Sequence, residues 1–230
     1  MTDGPAHAHA MDGPAPLPHD LLWLADPAAF VAGHAAGALP AWASAAWLAQ
    51  APLVVRRARA GADGRIPVGL RGATRAQRHA AWLPAAQVAR AVTPRMIARQ
   101  ARWHDHPRRA ALPALAALAR AAPVLDAMQV DWGVTGSVGF SLASGLDLLH
   151  EGSDLDLLVT AAAPLAPHAE RMLAALLGDP RLDIQVGTPR GAFALRERAR
   201  TGGRVLLKTA DGPVMCDDPW LAPAARPRAP

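Results

Sequence analysis

The alternation of hydrophobic and polar residues predicts several strands in the C-terminal half of the chain. Residues 182–186 alternate strictly, so the branched and leucine side chains face a core while Asp183 and Gln185 lie on the other face. Helices are indicated where apolar residues recur at every third or fourth position, and Pro123 is expected to stop the first of them. This half of the chain is predicted to contain strands at residues 130–135, 155–160, 182–186, 204–208 and 213–216, and helices at residues 110–122, 138–146 and 167–177.

The N-terminal half carries a weaker pattern of the same kind. Two strands separated by a glycine-containing turn form a predicted hairpin, and Thr74 is placed to cap a helix that follows it. Ordered structure is expected to begin near His19, where a tail rich in Gly, Pro, Ala and His ends. The predicted elements are strands at residues 53–59 and 66–70 and helices at residues 40–51, at residues 75–83 and after Pro94.

Together these elements predict an α+β protein in two parts. A smaller N-terminal α+β domain precedes a C-terminal domain with a mixed sheet and helices. The break between them is expected at the histidine- and proline-containing stretch that ends with Pro107. The predicted organisation is a disordered tail at residues 1–18, an N-terminal domain at 19–106, a C-terminal domain at 107–221 and a flexible tail at 222–230.

Composition and charge limit the classes of protein to which the chain can belong. The 230 residues are 51% hydrophobic, which is enough for a core, but no apolar run has the length of a membrane span. Cys216 is the single cysteine, so no intrachain disulfide can form, and we expect a cytoplasmic protein without membrane attachment. The net charge is +5 and nearly all of the basic residues are arginines. This excess reflects either a biased composition or guanidinium groups that bind phosphates or an acidic partner.

Gly136 and Ser137 form a small-residue turn directly before a predicted helix. Glycine permits a close approach of the backbone, and the first N–H groups of a helix favour an anion such as phosphate. The serine hydroxyl can donate a further hydrogen bond to the same anion. Alone the pair is a weak signal, because the same residues often serve only as a turn and a helix cap.

Asp154 and Asp156 strengthen the phosphate hypothesis because they open a predicted strand on one face. Two neighbouring carboxylates repel each other unless they share a cation, and Mg²⁺ beside a phosphate suits such a pair. Asp183 on another strand is the best candidate for a third carboxylate of this magnesium site. The alternatives are solvated surface aspartates for Asp154 and Asp156, and a surface residue at the strand edge for Asp183.

These motifs resemble the nucleotidyltransferase superfamily, which includes DNA polymerase beta. More narrowly, the chain from His19 to Trp220 is similar to the phosphoribosyl-dephospho-CoA transferases of the malonate decarboxylase system, also called malonate decarboxylase holo-acyl-carrier-protein synthases. The resemblance implies a polymerase-beta-like fold for the C-terminal domain. It rests on residues 19–24 (HDLLWL), 66–72 (IPVGLRG), Gly136-Ser137, 149–157 (LHEGSDLDL) and 204–208 (RVLLK).

The resemblance also implies a reaction. A phosphoribosyl-dephospho-CoA group would pass from 2′-(5″-triphosphoribosyl)-3′-dephospho-CoA to a serine of the apo acyl carrier subunit of malonate decarboxylase, with release of pyrophosphate. Asp154 and Asp156 would carry catalysis through Mg²⁺, with Asp183 as a further metal ligand. Gly136 and Ser137 would hold the triphosphate, with Ser153 as another substrate-binding residue. The basic residues that could bind the anionic substrate or the carrier are Arg71, Arg75, Arg204 and Lys208.

Two other functions stay open at this point. One is a general nucleotidyltransferase that uses ATP or another nucleotide on a different acceptor, although the minimal version of such an enzyme lacks an N-terminal module. The other is a non-catalytic module that binds nucleotides or nucleic acid through its arginines. Intact Asp154 and Asp156 argue against the second, because binding alone does not require them, and nucleic acid is not an expected partner. The N-terminal domain is expected to recognise the substrate or the carrier.

Overall fold

A computed structural model of the chain describes residues 15–221. The predicted C-terminal tail and residues 1–14 of the predicted N-terminal tail lie outside the described residues. Contacts divide the chain into two compact units, of which the first runs to Thr93 and includes Ala143–Leu148, and the second comprises the rest from Pro94 onward. The predicted domain ranges 19–106 and 107–221 stay a prediction. No helix within residues 15–221 has the length and apolar character needed to cross a membrane.

The N-terminal unit is built on an antiparallel sheet with the strand order β4-β3-β2-β1-β5. Its core is formed by buried side chains from the sheet and from two short helices, among them Leu22, Phe30, Leu48 and Val68. The elements are β1 (Leu21–Leu24), α1 (Pro27–Ala32), α2 (Ala45–Leu48), β2 (Leu53–Val55), β3 (Ile66–Arg71), β4 (Arg78–Leu83) and β5 (Val88–Val92), with a 3₁₀ turn at Ala85–Gln87.

The predicted hairpin is confirmed, because β2 pairs antiparallel with β3, but the predicted helix over residues 75–83 is wrong. This segment forms strand β4, which pairs with β3 along its whole length from Arg78 to Leu83. Alternate residues of β4 turn inward, and Ala81 and Leu83 are buried in the core. The pairing with β3 and the burial of one face therefore outweigh the helical propensity of the alanines.

The C-terminal unit contains a sheet of six strands and the remaining helices. Its elements are α3 (Pro94–Gln100), α4 (Pro113–Ala127), β6 (Asp131–Val134), α5 (Gly136–Ser144), β7 (Leu155–Thr160), α6 (Pro167–Leu176), β8 (Leu182–Thr188), β9 (Gly191–Ala194), α7 (Leu195–Thr201), β10 (Val205–Thr209) and β11 (Gly212–Cys216), with 3₁₀ turns at Arg102–His104 and Arg109–Ala111. The last residues of α5 belong to the first unit by their contacts. The predicted strands and helices of this half are present, with ends shifted by a few residues.

The six strands follow the order β11-β10-β9-β8-β7-β6, and β7 and β8 run parallel while the other neighbours are antiparallel. Helix α6 supplies the crossover that a parallel pair requires. The chain is therefore an α+β protein with one antiparallel and one mixed sheet, which confirms the predicted fold class.

Helix α4 continues through Pro123, so the prediction that this proline stops the helix is wrong. A proline inside a helix removes a backbone hydrogen bond and costs about 3 kcal/mol. Pro123 itself lies on the exposed side, whereas Leu118, Ala122 and Leu125 are buried on the other side of α4. The burial of this apolar face on both sides of the proline offsets the cost of the break.

Candidate functional site

The parallel strand pair of the C-terminal sheet places two carboxylates side by side. Strands β7 and β8 are paired in register, and Asp156 lies directly opposite Asp183. Neighbouring strands are about 4.8 Å apart, and residues opposite each other project from the same face. The residues on either side of each aspartate, such as Leu155 and Ile184, are completely buried on the other face. Both aspartates are half-buried on the more open face of the sheet.

Gly136 lies against the carboxylate of Asp156. A Cβ atom built on Gly136 would overlap with Asp156 Oδ2, and the backbone of Gly136 is left-handed with a φ of +62°. Thr135 connects β6 to α5, and its backbone N donates a hydrogen bond to the carbonyl oxygen of Asp156 over 2.9 Å. The Thr135 hydroxyl donates to the same oxygen over 3.2 Å. A residue with a side chain at position 136 would therefore displace the carboxylate.

The start of helix α5 is thus held next to Asp156. Ser137 is its second residue and is half-buried, and the helix is nine residues long. The first N–H groups of such a helix have no partner within it and carry partial positive charge. The predicted phosphate-binding turn and the predicted metal-binding carboxylates are therefore neighbours in the structure. Sequence reasoning did not single out Thr135, whose position between a strand and the Gly-Ser pair was the available signal.

Asp154 and Ser153 lie in the loop that leads into β7. Asp154 is exposed and precedes the strand by one residue, while Ser153 is 5% exposed. The Ser153 hydroxyl oxygen accepts a hydrogen bond from the backbone N of His150 over 3.1 Å, and the Ser153 N donates to the His150 carbonyl over 2.9 Å. Ser153 therefore closes the turn that delivers Asp154 to the strand. Its assignment as a substrate-binding residue stays a prediction.

The start of β8, which carries Asp183, is fixed by Asp179. One oxygen of Asp179 accepts a hydrogen bond from the backbone N of Arg181 over 3.0 Å, and the other from the Arg120 guanidinium over 2.7 Å. The hydrogen bond from Arg181 is the main reason that the pKa of Asp179 lies below its usual value, and Arg120 adds to the effect. The Arg181 carbonyl in turn accepts from Leu155 N over 2.9 Å, which sets the register of β7 and β8.

The donor atoms of this site suit Mg²⁺. Within residues 15–221 no three His, Cys, Asp or Glu side chains are grouped closely enough to form a metal site by themselves. However, Mg²⁺ is usually held by one or two carboxylates together with substrate phosphates and waters. The adjacent Asp156 and Asp183 and the nearby start of α5 fit that arrangement, and Asp154 is the next acidic residue along the chain. The assignment of these aspartates to a metal stays a prediction.

Lys208 projects from the same face of the C-terminal sheet as the carboxylates. It lies opposite Ala192 on β9, which in turn lies opposite Gly187 on β8, so all three share a face with Asp183. Gly187 is four positions beyond Asp183, a distance of roughly 13 Å along the strand. Lys208 is therefore on the same face as the aspartates but not beside them. Arg204, at the start of the same hairpin, is exposed.

The other two basic candidates belong to the N-terminal unit. Arg71 ends β3 opposite Arg78 and is half-buried, and its carbonyl oxygen accepts a hydrogen bond from the indole N–H of Trp47 over 2.8 Å. Arg75 is exposed in the turn between β3 and β4. Their roles in binding the substrate or the carrier stay predictions.

Two family models together match most of the chain. The family model described as "Phosphoribosyl-dephospho-CoA transferase MdcG N-terminal domain" matches residues 17–94, and the corresponding C-terminal domain model matches residues 96–219. No solved structure matches the chain.

Several curated relatives are named phosphoribosyl-dephospho-CoA transferase. The protein of Pseudomonas putida (strain W619) is 44% identical over 210 residues, which cover 90% of this chain and 96% of the relative. That of Azotobacter vinelandii (strain DJ) is 43% identical over 216 residues, which cover 91% and 97%. That of Klebsiella pneumoniae (strain 342) is 43% identical over 211 residues, which cover 89% and 96%.

The fold, the paired carboxylates beside a helix start and these relatives define an enzyme of the transferase class. The two domain models together span nearly the whole described chain. This chain belongs to the phosphoribosyl-dephospho-CoA transferase family.

Proposed function

We propose that this protein transfers the phosphoribosyl-dephospho-CoA group from 2′-(5″-triphosphoribosyl)-3′-dephospho-CoA to a serine of the apo acyl carrier subunit of malonate decarboxylase. The in-register pair of Asp156 and Asp183 beside the start of α5 is the observation that carries the proposal. This pair supports phosphoryl chemistry, and the match to both family domains supports the particular group that is transferred.

In the proposed reaction the carrier serine oxygen attacks the α-phosphorus of the triphosphate in line. A bond forms between these two atoms, and the bond from the α-phosphorus to the oxygen that bridges to the β-phosphorus breaks. Pyrophosphate leaves with that electron pair, and the serine proton passes to solvent. The product is a phosphodiester between the carrier serine and the ribose, so the reaction needs no further reactant.

In the proposed reaction some residues of the chain would bind the phosphates and others would hold Mg²⁺. Backbone N–H groups at the start of α5 and the Ser137 hydroxyl would hold the phosphates. Gly136 lets the phosphates and the Asp156 carboxylate approach the same point. Asp154, Asp156 and Asp183 would hold Mg²⁺, which when bound neutralises charge on the phosphates and polarises them.

The first experiment is a transfer assay analysed by mass spectrometry. Purified protein is incubated with the triphosphoribosyl substrate, Mg²⁺ and apo carrier, and we expect one carrier serine to gain the mass of the phosphoribosyl-dephospho-CoA group. Release of pyrophosphate should equal the amount of modified carrier. If the carrier gains no mass, but a protein or nucleotide acceptor is labelled from ATP, the general nucleotidyltransferase is the correct function.

A substitution tests the role of the carboxylates. Asp156→Asn keeps the size of the side chain and should lower the transfer rate by about a hundredfold or more, because the charge at the phosphate site is reduced. Asp105→Asn, which changes an exposed aspartate of the same unit, is the control and should keep normal activity. Full transfer by a folded Asp156→Asn protein would refute the proposed site.

The same proposal also specifies the acceptor protein and the cellular compartment of the reaction. Malonate decarboxylase subunits in the neighbouring genes would support the acceptor, and a cytoplasmic enzyme would meet that acceptor in the compartment where the single Cys216 stays reduced. Salt-dependent binding to DNA, compared with binding to the carrier, tests the non-catalytic alternative.

A further inference from the structure

A groove of about 440 Å³ opens in the N-terminal unit, beside the edge strand β4 and the end of α1. Its volume lies in the range of pockets that bind small molecules. Its lining includes His34 from the end of α1, Arg65 before β3, Trp82 on β4 and Gln87 after it. None of these residues belongs to the carboxylate site.

Trp82 provides a flat aromatic surface at the groove. Its residue surface is 42% exposed although tryptophan is the largest apolar side chain, and the neighbouring Ala81 and Leu83 are buried on the other face of β4. Exposure of an indole to water is unfavourable, whereas an indole is a good surface for stacking a planar base. The groove therefore suits a ligand with an aromatic ring.

Two hydrogen-bond acceptors also line the groove. Gln87 Oε1 is shielded from solvent and has no hydrogen-bond partner within the described part of the chain. His34 Nδ1 lies 2.8 Å from the carbonyl oxygen of Phe30, which can only accept, so Nδ1 carries the proton and Nε2 of the neutral ring is an acceptor. An unpaired buried oxygen is costly, so a ligand with an N–H or O–H donor would be favoured here.

The backbone of β4 adds further groups that can recognise a base. β4 is an edge strand, because its only partner in the sheet is β3. Alternate N–H and C=O groups along its free side therefore have no strand partner. A neighbouring donor and acceptor on a strand edge match the hydrogen-bonding edge of a purine that carries an exocyclic amino group.

Arg65 supplies positive charge at the same groove. Its Nε lies 2.6 Å from Asp63 Oδ2, and its backbone N donates to Asp63 Oδ1 over 3.2 Å. Asp63 thus fixes the side chain while the terminal guanidinium N–H groups can still donate. A fixed guanidinium of this kind binds phosphate oxygens well.

We propose that this groove binds a nucleotide that contains adenosine 5′-diphosphate. The adenine ring stacks on Trp82, its amino group donates to Gln87 Oε1, and the diphosphate contacts Arg65. His34 Nε2 accepts from a ribose hydroxyl. Dephospho-CoA contains adenosine with a 5′-diphosphate and is therefore one ligand of this class.

The test measures binding to the full-length protein by isothermal titration calorimetry. Adenosine 5′-diphosphate and 3′-dephospho-CoA are titrated into the wild type and into Trp82→Ala, and we expect the substitution to weaken both by about tenfold or more. Arg90→Ala serves as the control, because Arg90 lies on β5 outside the groove and stacks on Trp23. Circular dichroism and urea unfolding establish that each variant is folded.

A second pair of ligands isolates the contact to Gln87. Inosine 5′-diphosphate has an oxygen where adenosine 5′-diphosphate has the amino group, so the wild type should prefer the adenosine ligand by about tenfold. Gln87→Leu should abolish this preference by weakening only the adenosine ligand, whereas Gln50→Leu on the exposed surface should preserve it. Affinities within twofold of the wild type for both Trp82→Ala and Gln87→Leu would overturn the inference.

The same variants separate this inference from the proposed function. If the groove binds adenosine 5′-diphosphate as described but no transfer to the carrier occurs, the proposed function fails and the nucleotide site remains. If transfer occurs but the groove variants change only the binding of the carrier, then β4 accepts a peptide strand and the nucleotide assignment is wrong.

Discussion

The backbone of Gly136 is in the left-handed region, with its Cα facing the carboxylate of Asp156. Two separate requirements therefore act on one residue. The backbone conformation alone makes a side chain unfavourable by about 1–2 kcal/mol. The position of the carboxylate makes a side chain incompatible with the site, whatever its chemistry.

Gly136→Ala should lower the transfer rate by about a hundredfold, because the new methyl group displaces Asp156 by the order of an ångström. Gly202→Ala is the matched control: Gly202 also has a positive φ, +74°, but a Cβ there meets nothing within 4 Å. Both variants should lose about 1–2 kcal/mol of unfolding free energy in urea, and only Gly136→Ala should lose activity. Equal activity of the two variants would contradict the contact with Asp156.

Asp20 is the residue whose ionisation should affect the stability of the N-terminal unit. It is 6% exposed, and its carboxylate accepts a hydrogen bond from Leu17 N over 2.8 Å. Burial raises the pKa of Asp20 above its usual value of 3.8, and the hydrogen bond from Leu17 opposes this effect only in part. The stabilising contribution of the neutral carboxyl is therefore complete below pH 3.8 and is lost as the pH rises through the higher pKa of the folded state.

Asp20→Asn should raise the urea midpoint at neutral pH, because the amide keeps an acceptor for Leu17 N and carries no charge to desolvate. The difference from the wild type should shrink as the pH is lowered toward the usual pKa of an aspartate. Asp26→Asn, at the exposed cap of α1, is the control and should not raise the urea midpoint at neutral pH. An Asp20→Asn protein that is less stable than the wild type at every pH would disprove the direction of the pKa shift.

At the scale of elements, helix α3 packs directly on strand β6. A Cβ atom on Gly133 of β6 would overlap with the backbone of Pro94 and Arg95 at the start of α3. The side chains of Arg95 and Asp131 form an ion pair of 3.2 Å at the same contact. Both groups are about half exposed, so the ion pair contributes little and the close backbone contact dominates.

Gly133→Ala should lower the free energy of unfolding by about 1–3 kcal/mol, because the helix must move away from the strand. Gly187→Ala on β8 provides the comparison, since a Cβ there finds its nearest neighbour, Leu158 Cδ1, at 3.5 Å. The stability of that variant should stay within about 0.5 kcal/mol of the wild type. Urea unfolding measures both, and an equal loss in the two variants would refute close packing of α3 on β6.

The elements that the sequence predicts well are those with one buried face. Strands β7 and β8 alternate apolar and polar residues because one face packs in the core, and this pattern located them along the chain. Strand β4 was predicted as a helix because its alanines favour a helix locally. Only the pairing with strand β3 reverses that preference. The prediction that Pro123 ends the helix failed for a related reason. The proline is tolerated within α4 because the helix packs against residues that are distant in the sequence.

The candidate site shows the same division between local and long-range information. The Gly136-Ser137 turn and the pair Asp154 and Asp156 are local patterns, so the sequence alone could propose them as a site. The position of Asp156 opposite Asp183 depends on the register of a parallel pair that joins distant segments. The position of Lys208 relative to Asp183 depends on two successive strand pairings, which is why the distance between them could not be foreseen.

At the scale of the whole molecule, each compact unit has its own sheet and its own buried core. The two family models follow the same division, with one ending at residue 94 and the other beginning at residue 96. The division of contacts falls between Thr93 and Pro94. The carboxylates lie in one unit and the proposed nucleotide groove in the other. We therefore expect substitutions in the groove to change the affinity for adenosine 5′-diphosphate and those at the carboxylates to change the transfer rate.

The neighbouring negative charges of Asp156 and Asp183 are expected to lower the thermal stability of the protein. Selection for thermal stability alone would therefore replace them. Like charges opposite each other on adjacent strands cost about 0.2–1 kcal/mol. Without Mg²⁺ or substrate, Asp183→Asn should therefore melt about 1–3 °C higher than the wild type, whereas Asp105→Asn should melt unchanged. A lower melting temperature for Asp183→Asn would show that the two aspartates do not oppose folding.

A gene library screened only for survival on heating should thus accumulate neutral residues at positions 156 and 183. The proteins that it yields would be more stable, and under the proposed function they would no longer modify the carrier. A variant that keeps both aspartates would accordingly accept a lower melting temperature in return for the proposed reaction.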